Sequence, residues 1–387
     1  MQLTHNLRVR NYGLDPVSNY TVNLKDGNDN TLGSTVFTEA LAPEATTEIS
    51  INWTPTTAGT YDVYAEVVVT GDGNEGNNTT ATQSVTVYTE NAEFMPIGAT
   101  DSVSTVNYAP FDCWFEGFVA ETVYLASEIQ ATGGTIRALV YYNDFITDWT
   151  FPAQIWMKNT DVANLSAGWP VWDGYVQVYN GSLYVPAGIN EVVIPLTTPF
   201  SYTGGNLSIR TTKTYQEDWV SGNNWITTPD ANYPNRTRYY RSTTQGSVDY
   251  TNPSEGYVEN NVPNITFIMD PATLVTELDT PVVDVTISDT NAVLDWAAIP
   301  YAYSYRVYAS EDPYDFGVDP EPVAIVYTDT ATVPATLGKS FFKVFSKSYR
   351  DYSGRGRSMW NSLLEADITV EDDNPIEKAM KERNIRR

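Results

Sequence analysis

The sequence has a single histidine, His5, and a single cysteine, Cys113, among 387 residues. Imidazole is the usual base, proton shuttle or metal ligand near neutral pH, so chemistry of that kind has little to recruit here. One cysteine forms no internal disulfide, and no histidine lies near Cys113 in sequence to activate its thiol. We therefore interpret Cys113 as a small buried hydrophobe and His5 as an exposed residue at the start of a strand.

Cations and long apolar runs are also scarce. The chain carries 22 Lys and Arg against 48 Asp and Glu, which gives a formal charge of −26. A phosphate backbone needs a basic face, so this balance predicts that nucleic acid is not a partner. No apolar run approaches the ~20 residues of a membrane span, so we expect no membrane insertion. A hydrophobic content of 42% is nevertheless ample for buried cores.

Aromatic and turn-forming residues are abundant, with 27 Tyr, 10 Trp and 24 Gly. Apolar residues alternate with polar ones, as at Tyr20, Val22 and Leu24, and Gly, Asn and Asp separate the alternating segments. This period of two is typical of half-buried strands. The sequence therefore predicts an all-β fold of three β-sandwich domains in series, with a short, partly helical or disordered tail. The three sandwiches and the tail are assigned to residues 1–90, 91–270, 278–348 and 349–387.

The first of these segments has motifs at residues 9–13 (VRNYG), 41–45 (LAPEA) and 73–78 (GNEGNN). With these motifs it resembles the CARDB module, an immunoglobulin-like sandwich of bacterial surface proteins. The family normally has a further strand before the position of Met1. The resemblance therefore implies an internal piece of a longer exported protein, with an unpaired sheet edge near residues 20–24 or at the last strand.

The central segment resembles a jelly-roll-like repeat module of secreted Cloacimonadota and Bacteroidota proteins, on residues 151–157, 165–169 and 194–207. That resemblance implies a location outside the cell and no particular activity.

The third segment resembles a fibronectin type III domain. Trp296 matches the core tryptophan of that family, and Tyr305 matches a core aromatic residue on the next strand. Phe341 or Phe342 stands where the family usually has a tyrosine, so the resemblance leaves the family's tyrosine-corner hydrogen bond in doubt.

Tryptophans in predicted loops of the central segment are the strongest functional feature. Aromatic faces stack on sugar rings, and neighbouring carboxylates and amides bind hydroxyls. This pattern predicts a partner that is a polysaccharide or cell-surface glycan, whereas the alternative is that most of these rings are buried in the core. The candidate sugar-stacking residues are Trp169, Trp172, Trp219 and Trp225.

Two loops rich in Asp and Asn predict weak calcium binding and no other cofactor. Carboxylate and amide oxygens are the ligands that calcium prefers, but neither loop has EF-hand spacing. The alternative is a pair of hairpin turns that use Asn, Asp and Gly for their backbone conformation. The candidate ligands are Asp26, Asn28, Asp72, Asn74 and Glu75.

Together these features predict a non-catalytic binding and spacer segment of a secreted or cell-surface bacterial protein, either monomeric or part of a longer chain. A first alternative is a carbohydrate-binding module that accompanies a catalytic domain. A second is a glycosidase-like enzyme, because such enzymes need two carboxylates and no histidine. The carboxylate pairs available to that enzyme are Glu116 with Glu121 and Glu217 with Asp218.

Overall fold

A computed structural model describes residues 3–56, 59–88, 91–98, 103–213, 215–288, 290–318, 320–335 and 340–349. These residues form β-strands joined by turns, with one short α-helix and one 3₁₀ turn, which confirms the predicted all-β class. The predicted tail, apart from Tyr349, lies outside the described residues. The described part of the chain falls into two compact units, 3–88 and 91–349. The predicted boundaries within the second unit stay predictions.

The strands of the first unit are β1 (Leu3–Arg10), β2 (Tyr20–Asp26), β3 (Thr31–Phe37), β4 (Thr46–Trp53), β5 (Gly59–Val68) and β6 (Gln83–Val87), with the 3₁₀ turn at Glu75–Asn77. Those of the second unit up to residue 271 are β7 (Glu93–Ile97), β8 (Ser104–Val106), β9 (Gly117–Tyr124), β10 (Gly134–Phe145), β11 (Trp149–Thr160), β12 (Val176–Val185), β13 (Gly188–Tyr202), β14 (Asn206–Lys213), β15 (Asn224–Pro229), β16 (Thr237–Ser242), β17 (Tyr257–Glu259), β18 (Asn261–Pro263) and β19 (Ile265–Pro271), with helix α1 at Ala126–Ile129. The remaining strands are β20 (Val283–Ser288), β21 (Asn291–Trp296), β22 (Ser304–Ser310), β23 (Ala324–Val326), β24 (Thr330–Pro334) and β25 (Phe341–Lys347).

The first unit pairs β1 with β4 and forms a second sheet in the order β3-β2-β5-β6. Its buried core includes Tyr20, Val22 and Leu24, the alternating residues of β2. Because β2 is hydrogen-bonded to β3 and β5 on its two sides, the predicted open edge at residues 20–24 is wrong. The other predicted edge, the last strand β6, does lie at an edge of its sheet.

His5 is buried, so the expectation of an exposed histidine is wrong. Its side chain is 3% exposed, because β1 pairs with β4 and the imidazole lies in the core beside Trp53. Burial disfavours the charged form and lowers the pKa of His5 below its ordinary value of 6.5.

Two large sheets form the central sandwich. One has the order β12-β11-β14-β9-β16-β17, and the other follows β18-β15-β10-β19-β7 with β13 on β10 and β8 on β15. The central strand β9 is buried along its whole length, so its sequence does not alternate between apolar and polar residues. Its core-facing residues Phe118, Ala120 and Tyr124 join one large hydrophobic cluster, whereas Val119, Glu121 and Val123 project to the opposite face.

The last six strands form two three-stranded sheets, β20-β21-β24 and β23-β22-β25. Between them lies a small core that contains Trp296 and Tyr305, whose rings are 5.1 Å apart. Tyrosines connect this pair of sheets to the central sandwich. The Tyr233 hydroxyl donates to the Tyr303 carbonyl at 2.7 Å, and the Tyr349 hydroxyl accepts a hydrogen bond from the Gly98 N–H at 2.8 Å.

Candidate functional site

A buried charged row crosses the outer face of the six-stranded sheet. Trp156, Arg210, Glu121 and Arg238 are directly opposite one another on β11, β14, β9 and β16. Arg210 Nη2 lies 2.5 Å from Glu121 Oε2, and both side chains are fully buried. The hydroxyls of Tyr175 and Ser208 also donate to Glu121. This carboxylate is therefore fully engaged in a structural network.

The two arginines of the row fasten two loops to the sheet. Arg210 donates to the carbonyls of Tyr250 and Pro170 at 2.8 and 3.1 Å. Arg238 donates to the carbonyls of Leu165 and Glu255. These charge-assisted hydrogen bonds hold both loops against the outer face of the sheet.

Two predicted stacking residues, Trp169 and Trp172, lie together in the first of these loops. Both are half-buried, and the Arg210 guanidinium lies 5.4 Å from the centroid of each ring. The Trp172 ring stacks on Tyr175 at 5.1 Å, and the Trp169 indole N–H donates to the Ser254 carbonyl at 2.8 Å. We call the aromatic residues around Arg210 the Arg210 cluster: Trp156, Trp169, Trp172, Tyr175 and Tyr250. Much of the ring surface in this cluster is occupied by other protein side chains.

The prediction that Trp225 is exposed at the surface is wrong. It is fully buried, and its indole N–H donates to the Phe111 carbonyl at 2.7 Å. Phe145 meets its ring edge to face at 5.1 Å. The neighbouring Asn and Gly residues belong to a turn, but Trp225 is already within strand β15 and faces the core.

Trp219, the fourth predicted residue, is exposed at one end of the central sandwich. This end, which we call the loop end, consists of the connections 107–116, 146–148 and 215–223. Two backbone hydrogen bonds join the first and third connections: the Val220 N–H donates to Cys113, and the Gln216 N–H donates to Glu116, at 2.9 and 3.0 Å. Trp219 is 54% exposed, so its indole is available to a ligand.

Trp114 is a second exposed indole at the loop end, and the sequence analysis missed it as a candidate. It is 47% exposed, although its neighbours Asp112 and Cys113 are buried. The aromatic run around Cys113 suggested a core segment. The Asp112 carboxylate accepts hydrogen bonds from the N–H groups of Trp114 and Phe115, which forms a turn that directs Trp114 outward. An Asp two residues before a tryptophan is the sequence feature that predicts this turn.

Charged groups surround these indoles. Glu217 and Asp218, next to Trp219 in sequence, are exposed. Below the loops, the Lys213 side chain is buried, and burial lowers its pKa. Burial also raises the pKa of the Cys113 thiol to about 12, so it stays protonated and unreactive near neutral pH. This buried thiol agrees with the expectation of a small core residue.

The carboxylate pairs considered for a glycosidase have different surroundings. Glu121 is ion-paired to Arg210 and has no exposed surface. Glu116 precedes it by five residues, which corresponds to about 16 Å along an extended strand. With Glu121 buried and ion-paired, this pair offers at most one free carboxylate, whereas a glycosidase needs two that act on the sugar. Glu217 and Asp218 lie on an exposed loop.

The Asp and Asn loops of the first unit hold their carboxylates in turn hydrogen bonds. Asp26 Oδ1 accepts the N–H groups of Asn28 and Asn30 at 2.9 and 2.8 Å. Hydrogen bonds from Asn30, through its side chain first, lower the pKa of Asp26. In the second loop, Asp72 and Asn74 accept the N–H groups of the residues two positions further on. Glu75 begins the 3₁₀ turn. Within the described ranges, no three His, Cys, Asp or Glu side chains are grouped to hold a metal ion.

Comparison with known proteins shows a similarity of the first unit to one family. Residues 1–85 match the family model of CARDB. The match confirms the resemblance seen in the first segment, and no match supports the other two resemblances. No curated protein matches the chain.

The solved structures that match include β-glucuronidase from Ruminococcus gnavus. Its apo structure is 12% identical, with 69% of this chain and 38% of that chain covered and a TM-score of 0.17. Its complex with D-glucuronic acid is also 12% identical, with coverages of 70% and 38% and a TM-score of 0.17. The chain thus spans about two fifths of the length of these enzymes.

Among the described residues, no helix is long and apolar enough to span a membrane.

Proposed function

We propose that the chain is a non-catalytic binding and spacer segment of a cell-surface or secreted protein, and that its central sandwich binds a neutral carbohydrate at the loop end. The observation that carries this proposal is the pair of exposed indoles, Trp114 and Trp219, on two connections joined by backbone hydrogen bonds.

The chemistry of the loop end suits a neutral sugar. Indole faces stack on the apolar faces of sugar rings, and the exposed carboxylates of Glu217 and Asp218 are acceptors for sugar hydroxyls. The same carboxylates repel an anionic ligand. A tryptophan side chain has only two rotatable torsions, so ordering it on binding costs little conformational entropy.

The spacer role draws support from the architecture. Residues 1–85 match CARDB, and we propose that residues 278–348 are a fibronectin type III-like domain. We further propose that the central sandwich is jelly-roll-like and that the protein acts outside the cell. Weak calcium binding at Asp26, Asn28, Asp72, Asn74 and Glu75 stays a prediction, which calorimetric titration of the full chain with millimolar calcium tests.

The proposal is tested by screening the full chain on an array of neutral and charged glycans and by incubating every bound glycan with the protein. We expect binding to one or more neutral glycans without release of reducing sugar. Hydrolysis of a bound glycan that Glu116→Gln or Glu217→Gln abolishes would instead support the glycosidase-like alternative. If the chain binds no glycan, the binding role is wrong and only the spacer role remains.

A further inference from the structure

The last sheet, β23-β22-β25, has an outer face that combines cations with aromatic rings. Tyr305, Val307 and Val344 point into the small core, so their neighbours along β22 and β25 point outward. In the strand register, Arg306 lies opposite Phe345 and Tyr308 lies opposite Lys343. Cations and rings thus alternate across the two strands. We call this surface, with Lys347 at its end, the cationic face.

A groove runs over the cationic face. Its volume is about 310 Å³, within the range of ligand pockets. Tyr308 and Phe345 meet edge to face at 5.7 Å, and Lys343 Nζ lies 4.2 Å from the centre of the Phe316 ring. Phe345 is 43% exposed. The groove is lined by Tyr308, Phe316, Pro320, Lys343, Phe345 and Lys347.

The cations of this face have no carboxylate partner, unlike several cations elsewhere in the described chain. Arg8, Arg137 and Arg241, for example, each form an ion pair with a carboxylate. Among the described residues, the side chains of Arg306, Lys343 and Lys347 have no carboxylate within 4.0 Å and donate no hydrogen bond. In a chain with a formal charge of −26, carboxylates are plentiful, so three cations without a carboxylate partner on one face are a local exception.

We infer that the cationic face binds an anionic polysaccharide, a sugar chain that carries carboxylates. Exposed rings supply stacking surface for sugars, and Lys and Arg supply charged donors for carboxylates. Lys343 and Lys347 lie about 13 Å apart along the strand, so one extended polymer with repeated charges contacts both. The exposed rings beside the cations favour a sugar chain, whose rings stack on aromatic faces, over an acidic peptide, and poly-glutamate in the test below distinguishes the two.

The test measures the retention of the full chain in gels that contain polygalacturonate, against the same polymer after methyl esterification, which removes its charge. The variant Lys343→Gln/Lys347→Gln removes two charges from the cationic face, and Arg8→Gln/Arg10→Gln removes two from the first unit as a matched control. We expect binding to polygalacturonate, loss of binding on esterification, and a drop in affinity of about tenfold or more in the first variant alone. Phe345→Ala should weaken binding while the thermal midpoint stays within a few degrees.

Several outcomes overturn the inference: no retention of the wild-type chain, equal retention by the esterified polymer, an equal loss in both double variants, or stronger binding to poly-glutamate than to polygalacturonate. The variant Trp114→Ala/Trp219→Ala separates this site from the loop end, because it should leave polygalacturonate binding unchanged even if it removes binding of a neutral glycan.

Discussion

At the scale of single residues, several polar side chains of this protein are buried and several aromatic side chains are exposed, contrary to what their residue types suggest. The lone histidine is in the core, and Arg210 and Glu121 are among the least exposed side chains of the central sandwich. In contrast, two tryptophans remain on the surface at the loop end. The properties of these residues depend on their partners more than on their hydrophobicity.

His5 predicts a pH dependence of the first unit. Because burial lowers its pKa in the folded state, the unfolded chain takes up a proton near pH 6.5 while the folded chain resists it. The free energy of unfolding therefore falls as the pH drops below about 6.5, until the folded-state pKa is reached. Hydrogen exchange of the β1 and β4 amides between pH 7.5 and 5 measures this. His5→Leu should abolish the dependence, and an unchanged slope in that variant would contradict the assignment.

The Arg210–Glu121 pair predicts a large loss of stability when one partner is removed. Glu121→Gln leaves the buried guanidinium without a countercharge, which costs about 3–5 kcal/mol. The exposed pair of Arg8 and Glu48, 3.5 Å apart, is the control: Glu48→Gln should cost about 1 kcal/mol or less. Urea unfolding monitored by tryptophan fluorescence measures both. Similar losses in the two variants would mean that the buried row is not essential.

At the scale of elements, the strands predicted best are those with one face in water. The alternation of Tyr20, Val22 and Leu24 identified β2, whose residues are alternately buried and half-buried. Strand β9 has no alternation because both its faces are buried, and β16 likewise buries Arg238 against a loop carbonyl. Both strands depend on loops folded over the outer face of the sheet, which the sequence pattern does not reveal.

The candidate site was predicted only in part, because the sequence pattern does not reveal how loops pack on the sheet. Trp219 is exposed where Gly, Asn and Asp predicted a loop, but Trp225, four residues after Ser221, already belongs to a strand. Trp169 and Trp172 are in a loop as predicted, yet the loop lies on the sheet, so Arg210 and Tyr175 contact their rings. Loop position was predictable, whereas the packing of the loop was not.

The contacts of the Arg210 cluster predict that the loops 161–175 and 249–256 depend on each other for their position on the sheet. Trp172→Ala removes a half-buried ring that contacts Trp156, Tyr175 and Tyr250, which should cost about 2 kcal/mol, less than the loss of a fully buried ring. Limited proteolysis should then cut within residues 161–175 and 249–256 sooner than in the wild-type chain. The control is Trp219→Ala, which removes an exposed ring and should leave both stability and cleavage nearly unchanged. Equal proteolysis of the two variants would contradict a structural role for Trp172.

At the scale of the whole molecule, tyrosines make residues 91–349 a single compact unit. Tyr303 is 4% exposed and contacts Tyr233 from the central sandwich and Tyr349 from the end of the described chain. Three sandwiches in series suggest independent domains, whereas these contacts join the central sandwich to the sheets that follow it.

This contact predicts cooperative unfolding of the central sandwich with the last six strands. Tyr303→Ala removes the shared ring and should destabilise the unit by about 3–5 kcal/mol. It should also let β22 and β25 exchange their amide hydrogens before β9 and β14 do. Hydrogen exchange with mass spectrometry compares these strands in one experiment. Exchange that stays synchronous in the variant would show that other contacts carry the coupling.

The central claim is that the chain binds carbohydrate through Trp114 and Trp219. Its most direct test is the affinity of the full chain for the soluble neutral polysaccharides xylan, glucomannan and dextran, measured by affinity electrophoresis. The wild type is compared with the variants Trp114→Ala, Trp219→Ala and Tyr314→Ala. Tyr314, 94% exposed and outside the central sandwich, is the matched control. The account predicts that a retained polysaccharide loses about 1–3 kcal/mol of binding free energy with each tryptophan variant and none with the tyrosine variant. Equal retention of all four proteins, or retention of none, would contradict it.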